Sequence, residues 1–121
     1  MRSLLKVFLL AGAMAVAVAF AGKEAQAEPV VASWYGPGFE GAITASGEPF
    51  NPYAYTAAHP YLPFGTQLEV CYQGCVTVTV NDRGPFVAGR GLDLSQGAAK
   101  AIGLIYVGTD VVDVRVVSYP Y

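Results

Sequence analysis

Two short stretches of alternating residues, separated by only three residues, constrain most strongly how this chain can fold. Residues 66–71 and 75–80 place apolar side chains at every second position, which is the period of a half-buried β-strand. Gly74 lies in the intervening loop, where we expect a positive φ, so the two stretches are predicted to form an antiparallel hairpin. Cys71 and Cys75 flank the loop, and opposed residues of such a pair lie within disulfide range. We therefore predict a hairpin closed by a disulfide; the alternative, a redox-active pair, would need C-x-x-C spacing at a helix start.

The rest of the pattern also favours β-structure, because no long stretch has the period of a helix. Further strands are predicted at residues 30–35, 86–88, 91–94 and 111–117. Residues 39–65 are rich in glycine and proline and are expected to form turns with short extended pieces. One short helix is predicted over 96–102, with Ser95 as its N-cap and Gly103 at its end. Several short strands with one short helix are typical of a small closed barrel.

The first 27 residues have the pattern of a secretory signal peptide. Arg2 and Lys6 precede an uncharged apolar stretch of sixteen residues, and an Ala-x-Ala sequence ends at Ala27. A membrane anchor is the alternative, but a spanning helix needs about 20 apolar residues. We predict cleavage after Ala27, a domain over residues 28–121, and a periplasmic or secreted protein. No cysteine precedes Cys71, so no membrane anchor is expected after cleavage.

Composition narrows the classes of function. The 121 residues are 54% hydrophobic and 13% charged, which suits one folded domain and excludes a disordered chain. The formal charge of −2 argues against a nucleic-acid or anionic-membrane partner, because either needs a basic patch. Two cysteines and one histidine are too few for a Cys/His zinc site. We expect no metal and no cofactor, and a monomer.

Isolated polar residues in loops are the candidate site residues. Asp82 follows the second hairpin strand, and a carboxyl group there, beside aromatic surface such as Phe86, can be desolvated enough to hold a proton as a general acid. The competing interpretation is an aspartate that caps its own turn or pairs with Arg83. Glu48 lies in a loop of turn formers, where a solvated glutamate is the ordinary interpretation. His59, the only histidine, is by the same reasoning structural unless it lies in a site.

Aromatic residues are concentrated in one half of the predicted domain. Nine of the thirteen after residue 27 fall between Trp34 and Tyr72. A small core needs some of them, and flat rings with polar tips also suit a sugar-binding groove. Both interpretations remain open at this point.

Six motifs in a fixed order carry a resemblance to a known family. They are Ala32–Phe39, Thr44–Glu48, Thr56–His59, Leu62–Thr66, Asn81–Phe86, and Gly89–Arg90 with Leu92–Ser95. The chain resembles the rare lipoprotein A family of septal-ring lytic transglycosylases over nearly all of residues 28–121. The resemblance implies a mainly-β protein, a six-stranded double-psi β-barrel related to expansins and barwin-like proteins, with one or two short helices.

The resemblance also implies a reaction and the residues that perform it. The expected partner is the peptidoglycan glycan strand, preferentially stripped of stem peptides, cut at MurNAc-β-1,4-GlcNAc bonds to give 1,6-anhydro products. Asp82 would give a proton to the leaving oxygen and take one from the sugar's 6-hydroxyl, which replaces the second carboxylate of ordinary glycosidases. Glu48 would orient substrate or stabilise positive charge. His59 would lie in the same groove, and Trp34 or Tyr35 would stack on a sugar.

The sequence departs from the family pattern in ways that keep alternatives open. Asn51 replaces the usual aspartate; we expect it to bind substrate, but an amide cannot ionise. The lipid-anchoring cysteine and the C-terminal glycan-binding repeats of many members are not found, and the Cys71–Cys75 pair is an addition. The alternatives are a non-catalytic, expansin-like glycan-binding module and a barwin-like effector or inhibitor with a protein partner.

Overall fold

Six strands close into one barrel. The structure is a computed structural model that describes residues 26–121, so the predicted signal peptide lies outside the described residues except for its last two. The strands are β1 (Glu28–Trp34), β2 (Thr56–Ala58), β3 (Gln67–Cys71), β4 (Cys75–Asp82), β5 (Leu92–Leu94) and β6 (Asp110–Ser118). Around the barrel their order is β1-β5-β2-β4-β3-β6. Two parallel pairs, β1 with β5 and β2 with β4, are joined by antiparallel ones. The predicted mainly-β, double-psi barrel is confirmed.

The predicted hairpin and its disulfide are confirmed. β3 and β4 pair antiparallel, Cys71 faces Cys75 in register, and their sulfurs are bonded. The expected positive φ at Gly74 is wrong. The backbone N–H of Gln73 instead donates to the carbonyl of Ile102 at 3.0 Å, so docking on the helix end sets the shape of this turn.

The predicted helix is confirmed together with both of its ends. Helix α1 spans Gln96–Ile102, and the Ser95 hydroxyl accepts a hydrogen bond from the Ala98 N–H at 3.2 Å. Gly103 ends the helix in the left-handed region, at φ 81°. A 3-10 turn, Leu104–Tyr106, follows. Within residues 26–121 no helix is long and apolar enough to cross a membrane.

Alternation along the strands fills the core. The inward positions of β3, β4 and β5 join one face of α1 in a single apolar cluster. Its largest fully buried members are Leu68, Leu92, Leu94, Ile102, Leu104, Val70, Val78, Val80 and Val112. On β3, β4 and β5, the residues that alternate with these buried ones point away from the core, toward the outer face of the barrel.

The strand predicted at 86–88 is wrong. Phe86 is 87% exposed, and the segment ends in a turn closed by the Arg90 N–H on the Val87 carbonyl at 3.1 Å. No neighbouring strand offers these residues a ladder of hydrogen bonds, so their apolar side chains remain in solvent. The loop from Arg83 to Gly91 thus separates β4 from β5, two strands that both flank β2.

Candidate active site

A row of four residues crosses the outer face of the barrel. Asp82 on β4 pairs with Ala58 on β2, Ala58 pairs with Asp93 on β5, and Asp93 pairs with Ser33 on β1. Residues in lateral register share a face of the sheet, and Asp93 lies between the buried Leu92 and Leu94. The side chains of this row therefore point away from the core, where Ala58 and Ser33 are buried by neighbouring residues and the two carboxyl groups on either side of Ala58 are partly exposed. Strand spacing places their Cα atoms about 10 Å apart.

A bulge at the end of β4 creates this register. The pairing of β2 with β4 shifts between Ala57 and Ala58, so that Ala57 faces Val80 while Ala58 faces Asp82. Asn81 is the extra residue, and its side chain is buried. Bulges re-aim side chains where a ladder ends, and here the bulge brings Asp82 into the row.

Three donors converge on the Asp82 carboxyl group. The Tyr35 hydroxyl donates to Oδ2 at 2.7 Å. The backbone N–H groups of Ala45 and Arg83 donate to Oδ1, each at 2.9 Å. Both carboxyl oxygens accept hydrogen bonds, so the orientation of the Asp82 side chain is fixed. The nearby aromatic group is Tyr35 rather than the exposed Phe86.

Two aromatic side chains hold Tyr35 in place. Its ring stacks on the buried Phe50 with centroids 4.7 Å apart, and the Phe39 ring meets its edge at 5.7 Å. Burial, the hydrogen bond to Asp82 and the charges of Asp82 and Asp93 all raise the pKa of Tyr35 far above its usual value. Tyr35 therefore stays protonated and acts as a fixed donor beneath the row.

Asp93 is the site residue that sequence reasoning missed. Burial raises its pKa, and the charge of Asp82 acts in the same direction. A hydrogen bond from the Ser33 hydroxyl, 3.1 Å from Oδ1, and the charge of Arg90 partly oppose this rise. The motif Leu92–Ser95 was visible, and an aspartate between two buried leucines on a strand was the signal that could have identified it. Burial thus makes Asp93 a weaker acid than an ordinary aspartate, which is the direction that a general acid needs.

Glu48 lies beside the row through the buried Asn81. The Asn81 amide donates to Glu48 Oε1 at 2.7 Å, and the Asn81 carbonyl accepts from the Ser46 N–H at 3.2 Å. Glu48 is exposed and lines a shallow depression of about 380 Å³ with Phe64 and Thr79. Glu48 is thus bound to Asn81, the residue that directly precedes Asp82 in the bulge of β4.

His59 holds a loop and is connected to the site by its backbone. Its Nδ1 accepts from the N–H groups of Tyr61 and Leu62 at 3.2 and 3.1 Å. Burial and the charge of Arg83 lower its pKa, so the ring is neutral at neutral pH. Arg83 lies over the Phe64 ring at 4.1 Å and donates to the His59 and Leu62 carbonyls. The His59 N–H donates to the Asp82 carbonyl at 3.1 Å.

The two remaining candidates lie outside the row. Asn51 is exposed and caps its own turn, with Oδ1 accepting from the Tyr53 N–H at 3.0 Å. Trp34 shares register with the buried Leu94 and packs against the core cluster. Tyr35, not Trp34, is the aromatic residue next to the carboxyl groups. Residues 26–121 contain no cluster of three His, Cys, Asp or Glu side chains that could hold a metal ion.

Proteins of known sequence resemble this chain. A probable endolytic peptidoglycan transglycosylase RlpA of Synechocystis is 53% identical over 91 residues, 73% of this chain and 28% of that protein. An endolytic peptidoglycan transglycosylase RlpA of Campylobacter jejuni is 51% identical over 92 residues, 74% of this chain and 34% of that protein. The chain thus spans about a third of the length of these curated relatives.

Solved structures share the fold. The Streptomyces papain inhibitor superimposes with a TM-score of 0.61 at 22% identity, over 77% of this chain and 96% of that one. An expansin of Clavibacter michiganensis gives 0.63 at 24% identity, over 79% and 52%. A point mutant of that expansin in complex with cellohexaose gives 0.59 at 22% identity, over 78% and 52%.

A family profile decides membership. The profile described as lytic transglycolase matches residues 27–116, which include all six motifs and the whole row of carboxyl groups. The chain belongs to this lytic transglycolase family, the double-psi β-barrel family of the RlpA proteins.

Proposed function

We propose that this chain is a peptidoglycan lytic transglycosylase that cuts MurNAc-β-1,4-GlcNAc bonds and leaves 1,6-anhydro ends. Its family and its relatives, which are named endolytic peptidoglycan transglycosylases, support this reaction. The observation that carries the proposal is the row: two outward-facing carboxyl groups, on either side of Ala58, in opposite environments. Carboxyl groups with contrasting environments are the usual acid and charge stabiliser of glycoside cleavage.

Asp93 is the proton donor in this proposal, which differs from the sequence-based assignment to Asp82. The Asp93 carboxyl group protonates the bridging oxygen as the C1–O4 bond breaks. The 6-hydroxyl oxygen of the same MurNAc residue then bonds to C1, and its proton returns to the Asp93 carboxylate. One carboxyl group thus acts as acid and then as base, and the step consumes no water.

Asp82 supplies negative charge in the proposed reaction. Three donors fix the orientation of the Asp82 carboxyl group, so its oxygens are placed to stabilise the positive charge that develops at C1 and the ring oxygen. Glu48, held by Asn81 at the next position along β4, adds a second negative charge or orients a neighbouring sugar. Tyr35 is a positioning residue, because it acts on the sugar through Asp82.

Export and a monomeric state belong to the same proposal. Residues 1–27 serve as a signal peptide and residues 28–121 form the domain, which acts in the periplasm or outside the cell. A disulfide in a domain this small is typical of oxidising compartments and supports this location. N-terminal sequencing of the exported protein, with Glu28 as the expected first residue, tests the cleavage site.

Digestion of peptide-stripped sacculi tests the activity. We expect the full chain to release muropeptides with 1,6-anhydro ends, detected by mass spectrometry, and Asp93→Asn to release about 10³-fold less. Products with reducing ends instead would contradict the transglycosylase reaction. Pull-down with sacculi in the absence of any product would favour a non-catalytic, expansin-like module.

A further inference from the structure

The imidazole of His59 closes the loop that follows β2, residues 59–62. Its Nδ1 accepts hydrogen bonds from the backbone N–H groups of Tyr61 and Leu62 at 3.2 and 3.1 Å. A ring nitrogen accepts only when it carries no proton, so the proton of the neutral ring is on Nε2. Asn51 closes its own turn in the same way, since its Oδ1 accepts from the N–H two residues later at 3.0 Å. An amide oxygen can therefore take the place of the His59 acceptor.

Arg83 binds the same loop to the end of β4. Its guanidinium lies over the Phe64 ring at 4.1 Å, and its Nη1 donates to the carbonyls of His59 and Leu62 at 3.3 and 2.8 Å. The loop is thus held at its N–H groups by the imidazole and at its carbonyls by the guanidinium. We call this unit, residues 59–62 with Arg83, the His59 clip.

The clip contacts Asp82 through one peptide group. The His59 N–H donates to the Asp82 carbonyl at 3.1 Å, directly after the pairing of Ala58 with Asp82. The Arg83 N–H donates to Asp82 Oδ1 at 2.9 Å. This carbonyl and this N–H belong to the same planar peptide, the one between Asp82 and Arg83. A rotation of that peptide would therefore break the bond to the clip and the bond to the carboxyl group together.

We propose that His59 is a positioning residue for the Asp82 carboxyl group and acts through the Asp82–Arg83 peptide, not on the sugar. The proposal rests on the proposed function, in which the Asp82 oxygens stabilise positive charge on the substrate. An acceptor at the Nδ1 position keeps the loop closed, the closed loop keeps the His59 N–H on the Asp82 carbonyl, and the fixed peptide orients Oδ1. The imidazole transfers no proton to the sugar.

Protonation of His59 should open the clip. An imidazolium carries a proton on both nitrogens, so Nδ1 can no longer accept the two backbone N–H groups. Burial and the charge of Arg83 lower the pKa of His59, so the clip opens only below the usual titration range of histidine. The other titratable groups around the ring are Tyr61, whose ring meets its edge at 4.7 Å, and Glu28 and Tyr119, which line the same cavity. The unmodified chain should therefore lose activity in acid, where its proton donor is protonated.

Two amide replacements separate positioning from direct chemistry. The amide oxygen of His59→Asn occupies the place of Nδ1, whereas that of His59→Gln lies one bond further, near the place of Nε2. We expect His59→Asn to keep kcat within about threefold, and His59→Gln to lose about tenfold in kcat with little change in KM. Release of anhydro muropeptides from stripped sacculi measures both. Equal activity of the two variants, or a more active His59→Gln, would overturn the proposal.

The pH profile gives a readout that a general structural defect would not move. The asparagine amide does not titrate, so the activity of His59→Asn relative to the unmodified chain should rise as pH falls below about 6.5. Effects of the carboxyl groups are common to both chains and cancel in this ratio. A ratio that does not change with pH would contradict the clip.

NMR of the full chain separates the clip from the proposed function. At neutral pH we expect the nitrogen shifts of a neutral imidazole with its proton on Nε2. His59→Gln should displace the amide signals of Arg83 and Ala45, the two backbone donors to Asp82 Oδ1, and His59→Asn should displace them much less. If the unmodified chain gives no anhydro products, the proposed function fails, and these signals still test the clip. A proton on Nδ1, or unmoved amide signals in His59→Gln, would refute the clip whatever the activity.

Discussion

Asp82 and Asp93 occupy the same face of the barrel, one strand to either side of Ala58, yet their surroundings differ. Asp82 lies at a strand end and receives three hydrogen bonds, from the segment after β1 and from the residue that follows it on the chain. Asp93 lies within a short strand between two buried leucines and receives one hydrogen bond, from Ser33. Two carboxyl groups that share one face of the sheet therefore differ in burial and in hydrogen-bond donors: burial raises the pKa of Asp93, whereas three donors surround the oxygens of Asp82.

Replacing Asp93 should cause the largest loss of activity. Asp93→Asn retains the shape of the side chain but removes the proton donor, so we expect release of anhydro muropeptides to fall by about 10³-fold. The measurement is product formation from stripped sacculi, with Asp113→Asn, an exposed aspartate on β6, as the control. Activity within a factor of about two of the unmodified chain would exclude Asp93 as the donor.

Asp93→Asn should lower activity but raise thermal stability at pH 7. The folded-state pKa of Asp93 is raised, so its contribution to stability is fully present below the unfolded pKa and is lost as pH rises through the folded pKa. We therefore expect Asp93→Asn to unfold at a higher temperature than the unmodified chain at pH 7 and to lose this advantage in acid. Differential scanning calorimetry across this pH range measures it.

Changes around Asp82 should have the next largest effect. Asp82→Asn reverses the polarity of one contact, because its amide nitrogen faces donors, and we expect about a 10²-fold loss of activity with about 1–3 kcal/mol of lost stability.

Tyr35→Phe removes only the hydroxyl and should cost about tenfold in kcat with little change in KM. A Tyr35→Phe chain with unchanged kcat and a raised KM would assign Tyr35 to sugar binding instead of positioning.

Ser33→Ala should have a smaller effect, seen in the pH dependence of kcat/KM. The Ser33 hydrogen bond lowers the pKa of Asp93, so Ser33→Ala should raise it further. Since the donor is active while protonated, the alkaline limb of the kcat/KM profile should move to higher pH. The same limb in Thr77→Ala, an exposed hydroxyl on β4, should stay in place. A limb that moves to lower pH in Ser33→Ala would contradict the proton-donor assignment.

The disulfide should have the smallest effect on activity. Cys75 and Asp82 lie at opposite ends of β4, about 23 Å apart along an extended strand. The double variant Cys71→Ser/Cys75→Ser should lose about 2 kcal/mol of stability, because the closed loop is short, and should keep its kcat. Denaturant unfolding and sacculus digestion together measure this, and a large loss of kcat in folded protein would show that the hairpin influences the row.

Local chemistry explains which predictions were confirmed. The helix begins at Ser95 and ends at Gly103 because capping depends on neighbouring residues. The strand predicted at 86–88 was wrong because an apolar run forms a strand only beside a partner, and the pairing of β2 with both β4 and β5 leaves none for it. The positive φ at Gly74 was wrong because a contact with Ile102 shapes that turn.

The sequence by itself determined the hairpin with its disulfide, the capped helix, the β-class and the six family motifs, because alternation, turn residues and spacing are properties of neighbouring residues. Only the tertiary structure decided how the carboxyl groups differ. Tyr35 reaches Asp82 across 47 positions of sequence, and Asp93 joins the row through register with Ala58. Burial and strand register arise from contacts between distant residues, so the pattern along the chain could mark Asp93 as an aspartate between two leucines but could not show that burial raises its pKa.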